Sequence, residues 1–264
     1  MTKKTTETAV AVTDPERFAV CNPSAQGDLA SLLESGVGAF DLTRLKVPSS
    51  GAVAFEIDAL EGMTYEKEIE CVIVLVRGGQ RAWWRSIYGA GGGGTPPDCS
   101  SQGGGFGRGN PTVDAEPDAE PDAEPDAEPA TTQCASCHWN QWKTATKADG
   151  SRGAGKSCKE WAMVFLYIEG GGIPMMLSVP PSSLKVMRQY SIKLLGAKKP
   201  IYSVLTRLTL TATKNGDGTD YSELAFNYGR DLDPAGAEAA KGAKELIEQY
   251  LTAHTITPDA PDLN

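Results

Sequence analysis

The sequence predicts an α+β chain, mainly β: a small OB-type β-barrel with an inserted zinc-binding loop subdomain and peripheral helices. Three observations predict it. Short segments of alternating or continuous apolar residues crowd residues 40 to 85 and 161 to 228, a glycine-rich and cysteine-bearing stretch separates them, and helical patterning is confined to three places. At 264 residues the chain is long enough for one substantial core and a small appended module.

Residues 1 to 35 read as a flexible lead-in carrying one short helix, Gln26 to Ser35, with Ser24 placed to cap it. Phe40 to Val47 and then Ala52 to Ile57 alternate apolar and polar side chains, and Lys67 to Arg77 contains the apolar run Cys71 to Val76. Gly78-Gly79 is expected to turn the chain into Gln80 to Arg85, completing a β-meander. Trp161 to Ile168 and Ile173 to Val179 read as a buried hairpin around Glu169-Gly-Gly-Gly172. Pro180-Pro181 ends it, and Ser182 or Ser183 is placed to cap a helix reaching about Leu195, with Leu184, Met187, Ile192 and Leu195 at core spacing. Two strands, Ile201 to Thr213 and Thr219 to Tyr228, meet at the turn Asn215-Gly-Asp-Gly218. Residues 36 to 230 thus form one predicted domain, interrupted by an insertion at about 89 to 160. Residues 231 to 264 supply a terminal helix, near 234 to 252, and an acidic tail.

The insertion holds four Asp-Ala-Glu-Pro repeats, residues 114 to 129, and the composition predicts disorder there, because no side chain larger than alanine is available to bury. The repeats also mask the charge of the rest. The whole chain is −9 at pH 7, yet residues 114 to 134 carry eight acids and no base, while residues 135 to 230 carry thirteen bases against six acids. The body is therefore basic and its ends and insertion are acidic, a division that suits a polyanion-binding surface.

Four cysteines bracket the repeats. Cys134-Ala-Ser-Cys137 is a knuckle that lets two thiolates bind one ion from a tight turn, and Cys99 and Cys158 would complete a tetrahedral set. Structural Zn2+ is the expected occupant, with an iron-sulfur cluster as the alternative use of four thiolates. Cys21 and Cys71 read as plain buried thiols, and the clustered cysteines suit a reducing cytoplasm. Residues 1 to 14 show no apolar signal segment, and no run approaches the ~18 apolar residues of a membrane span.

Basic side chains interleaved with aromatics are the pattern of a single-strand groove, because every base has a stackable face. The residues with this pattern are Arg81, Trp83, Trp84, Arg85 and Tyr88 on one strand and its exit, Arg207, Tyr221, Phe226 and Tyr228 on the last hairpin, and Lys156, Lys185 and Arg188 between them. Trp83 and Trp84 are adjacent and must face opposite sides of a strand. Single-stranded DNA is the expected partner, with RNA as the alternative polymer. Catalysis is not expected: the only histidines are His138 and His254, too few for a histidine-based nucleophile or metallohydrolase site. Gly150 to Ser157 satisfies the GxxxxGK[ST] pattern of a phosphate loop, but the polar Thr144 to Asp149 before it offers no buried strand, and the following apolar run leaves no room for a helix. An ATPase is accordingly the weakest function class, behind a zinc-stabilised regulatory protein-interaction module.

Beyond these readings, the ordered string Glu68 to Ile73, Arg81-Ala-Trp-Trp84, Pro97 to Ser101, Cys134-Ala-Ser-Cys137 with Asn140-Gln-Trp142, Gly155 to Glu160 and Pro181 to Lys185 resembles a family of bacteriophage and prophage proteins of replication and recombination gene sets. The resemblance spans about residues 40 to 230, and more distantly the plan is similar to the T4-type phage single-stranded DNA-binding protein. It implies a non-enzymatic protein of DNA replication or recombination in the cytoplasm of an infected or lysogenic bacterium. It also implies partners among phage replication or recombination proteins, recruited through the C-terminal tail. The departures are that the T4-type zinc set includes a histidine where four cysteines stand here, and that this tail is only weakly acidic.

Overall fold

The computed structural model of the chain describes residues 42–48, 51–59, 61–85, 97–109, 131–147, 150–168, 173–216, 218 and 220–253, with five positions between 27 and 35. Residues 27, 30, 31 and 34 are helical, in line with the expected first helix. Tyr88, Cys21, His254, the repeats 114–129 and the tail beyond 253 lie outside the described residues.

Two long strands organise everything else. β4 (Glu68–Trp83) and β8 (Lys159–Ile168) pair antiparallel from Cys71↔Ile168 to Ala82↔Lys159. Both are covered on both faces, which is why their sequences are continuous apolar runs. On one face Val72, Val74, Trp161, Met163, Phe165 and Tyr167 pack against Ala240, Ala243, Ile247 and Leu251 of α2 (Pro234–Ala253). On the other, Cys71, Ile73, Ala162, Val164 and Leu166 pack against Leu184, Met187, Tyr190 and Leu194 of α1 (Leu184–Gly196).

Beyond β8 the sheet continues through β9 (Met175–Val179), β1 (Arg44–Lys46), β2 (Phe55–Ala59) and β3 (Gly62–Glu66), with β1 and β9 parallel and the other neighbours antiparallel. On its other edge β4 has two partners in succession. Glu68 to Val72 pair with β10 (Val204–Lys214), itself paired along its length with β11 (Asp220–Asp231), while Arg81 to Trp83 pair with β5 (Cys99–Ser101). From β5 the sheet runs on through β6 (Phe106–Gly109) and β7 (Thr131–Gln133). The mainly-β α+β class is therefore as expected, but the sheet forks at β4 and is not closed. The closed barrel fails for that reason: an edge shared by two ribbons cannot also meet the far end of the sheet.

Other expectations changed for identifiable reasons. Gly78-Gly79 does not turn the chain; the register with β8 shifts between Arg77 and Gln80, so the pair forms a bulge inside one 16-residue strand. Strand β3 was not foreseen, because all five of its residues are exposed and no alternation marks them. On α1 the buried set is Leu184, Met187, Tyr190 and Leu194, whereas Ile192 and Leu195 are 67% and 76% exposed. Ser183 holds the N-cap position without capping: its buried hydroxyl accepts the Leu224 amide at 2.9 Å and so ties the helix start to β11. The hairpin β8–β9, the turn at Asn215 to Gly218 and the terminal helix follow the sequence, and Asp233 caps that helix by accepting the Gly236 amide at 2.8 Å. Among the described residues no helix is long and apolar enough to cross a membrane.

Candidate metal centre and nucleic-acid interface

The insertion builds a lobe on the C-terminal end of β4. Cys99 opens β5, directly opposite Trp83 of β4 and Gly109 of β6. Cys134 follows β7, its amide donating to the Gly105 carbonyl at 3.0 Å, and the chain then turns tightly through Cys137 into a single 3-10 turn, His138–Asn140. Cys158 immediately precedes β8, with its amide donating to the Trp139 carbonyl at 2.9 Å. Strand pairing and turn geometry thereby bring together four thiols separated by up to 59 residues of sequence.

All four cysteines line one cavity of about 20 Å³, whose walls also include Arg81, Trp83 and Asn140. A space of that size holds a single water-sized or ion-sized occupant. Gly107 of β6 forms part of the wall, and a Cβ there would stand 2.7 Å from the Cys99 sulfur. Burial, followed by the charges of the neighbouring thiols, pushes the Cys99 thiol up to about 11 and Cys158 up to about 12, with Arg81 pulling Cys158 the other way. Crowding raises a thiol in this way only while no cation sits among the sulfurs; a bound dication reverses the balance and deprotonates them. The donor chemistry and the cavity size fit a tetrathiolate metal site. As they stand, however, no group of three or more His, Cys, Asp or Glu side chains among the described residues is gathered as a coordination shell.

The lobe is braced from its interior. Trp139 stacks on Trp83 with ring centres 4.9 Å apart and planes at 21°, and Asn140, buried, donates from Nδ2 to the Cys134 carbonyl at 2.7 Å. Lys156 donates to Asn140 Oδ1 at 3.1 Å and lies 5.5 Å from the centre of the Trp142 ring. His138 meets Trp139 edge-on and is exposed.

The side chains expected to form one aromatic groove are dispersed. Trp83 and Trp84 do face opposite sides, but both are buried, and Phe226 is buried against Tyr190 at 5.8 Å. None of these three rings offers a free face to a base. Arg81 is held by the Gly104 carbonyl and by Glu160, which also pairs with Arg188 of α1. The Arg85 amide donates to Asp98 at 2.7 Å. Arg207 pairs with both Glu68 and Glu70, and the exposed Tyr228 lies under Lys199 at 4.6 Å; Tyr221 is half-buried and Lys185 is exposed. Arg207 lies opposite Glu70, and Arg81 follows eleven residues further along β4, two of them taken up by the bulges, so at ~3.3 Å per residue the two basic centres are roughly 30 Å apart.

Two exposed rings on the lobe were missed as candidates: Phe106 on β6, 63% exposed, and Trp142, 72% exposed. The available signal was Trp142 in the polar run Gln141-Trp-Lys143, where no apolar periodicity offers the ring a buried face. The GxxxxGK[ST] segment, by contrast, folds without the phosphate-loop context. Residues 144–147 pair with residues 151–155 as a small hairpin, with the Gly153 amide donating to Ala145, and the Ser157 amide donates to the Thr144 hydroxyl. The chain then enters strand β8 instead of a helix.

Compared with protein-family models, curated proteins and solved structures, the chain matches none.

Proposed function

We propose that the chain is a non-enzymatic, phage-type single-stranded DNA-binding protein acting in replication or recombination. Zinc held by Cys99, Cys134, Cys137 and Cys158 fixes the lobe that carries part of its binding surface. The zinc supplies a structural cross-link among the chain segments that enter and leave the sheet at that point, and no reaction.

The observation that carries the nucleic-acid reading is unneutralised positive charge. Lys143, Arg152, Lys185, Lys193 and Lys198 are exposed and make no ion pair with a described residue, whereas Arg81, Arg188, Lys199 and Arg207 are engaged by carboxylates. Free cations are the groups from which a phosphate backbone gains affinity by releasing counterions. Binding should therefore be weakly dependent on sequence and fall steeply with salt, each neutralised phosphate adding about 0.7 to the log–log slope for a single strand. Titrating a fluorescent oligonucleotide from low to moderate salt tests this. Absence of binding at low salt, or equal affinity for duplex, overturns the reading.

A second reading, a zinc-stabilised regulatory module that binds another protein, draws support from Ile192 and Leu195, neighbours on the outer face of α1 and largely exposed. Exchanging both for Lys separates the two: DNA binding is retained under the first reading, and only the second predicts loss of a stoichiometric partner.

A further inference from the structure

We infer that Trp142 is a nucleobase-stacking seat on the cysteine lobe, with Lys156 as its fixed cation, and that single-stranded nucleic acid engages the protein there. The inference rests on the single-strand reading above and assigns the contact to residues that the strand aromatics cannot replace.

Trp142 is held out, not left out. Trp83, Trp84 and Trp161 are buried, whereas Trp142 is 72% exposed on a turn pinned from both sides. Next to it, Lys143 adopts φ +68°, a left-handed conformation rare outside glycine, and its amide donates to the Ala154 carbonyl at 3.2 Å. Thr144, buried, donates its hydroxyl to the Gln141 carbonyl at 2.8 Å and accepts the Ser157 amide at 3.0 Å. A backbone this constrained fixes where the side chain leaves the turn, so no backbone freedom need be lost there when a flat ligand lands on the ring.

The chemistry around the ring selects the ligand. Lys156 covers one face at cation–π distance, and the exposure of the residue leaves the opposite face to solvent. From 143 to 159 the chain carries Lys143, Lys147, Arg152, Lys156 and Lys159 against the single acid Asp149. An open aromatic face within a cluster of cations matches a base with its flanking phosphates. The seat is also joined to the cysteine cavity, because Asn140 contacts the Cys134 carbonyl at one end of its amide and Lys156 at the other.

The test uses the full chain, a fifteen-residue oligo-dT, and an abasic strand of the same length carrying the same phosphates. Trp142→Ala should weaken oligo-dT binding roughly tenfold and leave abasic binding unchanged, while Trp142→Phe keeps most of the affinity. Tryptophan emission of the wild type should be quenched by oligo-dT, not by the abasic strand, and the quench should vanish in both variants. Thermal unfolding of each variant checks that the substitution, made at an exposed position, leaves the fold intact. Wild-type affinity for oligo-dT in Trp142→Ala, equal quenching by the abasic strand, or equal quenching by an acidic peptide overturns the inference while leaving single-strand binding standing. Failure of the wild type to bind either strand overturns both.

Discussion

At Gly107 a single methyl group would intrude on the cysteine cavity. A Cβ there would meet the Cys99 sulfur at 2.7 Å and the Cys134 sulfur at 3.7 Å. Cysteine has one side-chain torsion, so Cys99 can relieve the contact only by swinging its sulfur out of the cavity. Gly107→Ala should consequently lower bound zinc well below one per chain, as read by metal analysis, with the main unfolding transition little changed. Cys71 is the opposite kind of thiol. It is fully buried on the face of β4 covered by α1, and burial, helped by the charge of Glu70, pushes its thiol well above the ordinary value. A group whose folded pKa is raised contributes stability that is complete below its unfolded pKa, about 8.5, and is lost as pH rises beyond it. In urea titrations the contribution of Cys71 should thus be flat through neutral pH and decline from about pH 9 upward. Cys71→Ala, by removing the group, should flatten that decline.

At the scale of elements, β4 sets the design. Its bulges let Val74 and Leu75, adjacent in sequence, serve the same α2-facing core, and they carry the strand without a turn from the α1–β10 region to the cysteine lobe. Gly79 makes the second bulge possible: it has φ +72°, and a Cβ would lie 2.9 Å from the backbone of Gly103. Gly79→Ala should cost about 1–3 kcal/mol in chemical denaturation, since backbone strain and a backbone clash add. Propensity reads Gly-Gly between two apolar runs as a turn; only a partner strand whose register slips by one residue turns the same pair into a bulge. The helix α1 teaches a similar lesson. Leu184 and Met187 were legible as core, but the rest of its buried face was set by Tyr190, whose hydroxyl lies 2.8 Å from Thr206 Oγ1 on β10. That contact joins residues 16 apart and favours the polar-tipped ring over Ile192.

At the scale of the molecule, the two cores lie on opposite faces of β4 and β8, while the cysteine lobe hangs from one end of that pair. Chelation should therefore dismantle the lobe without unfolding the sheet. The expected outcome is loss of near-ultraviolet dichroism from the Trp83–Trp139 stack with far-ultraviolet dichroism largely retained. Simultaneous loss of both signals would contradict a lobe whose order is separable from the cores. Because zinc must displace protons from thiols pushed to about 11 and 12, its affinity should rise with pH and each binding event should release protons.

The sequence by itself determined the mainly-β class, the Asn215 to Gly218 hairpin, the terminal helix, the four-cysteine set and the basic body hidden by its acidic repeats. Each of these is carried by composition or by a pattern along the chain: a period, a turn dipeptide, a CxxC pair with two further cysteines, a local charge count. Only the tertiary structure decided which aromatics are core and which face water, where the sheet forks, and that Asn140 joins the cysteine cavity to Lys156 and Trp142. Burial and register depend on partners far off in sequence, as when β10 reaches back across more than a hundred residues to β4. A tryptophan on a strand and one on a pinned polar turn are the same letter until that packing separates them.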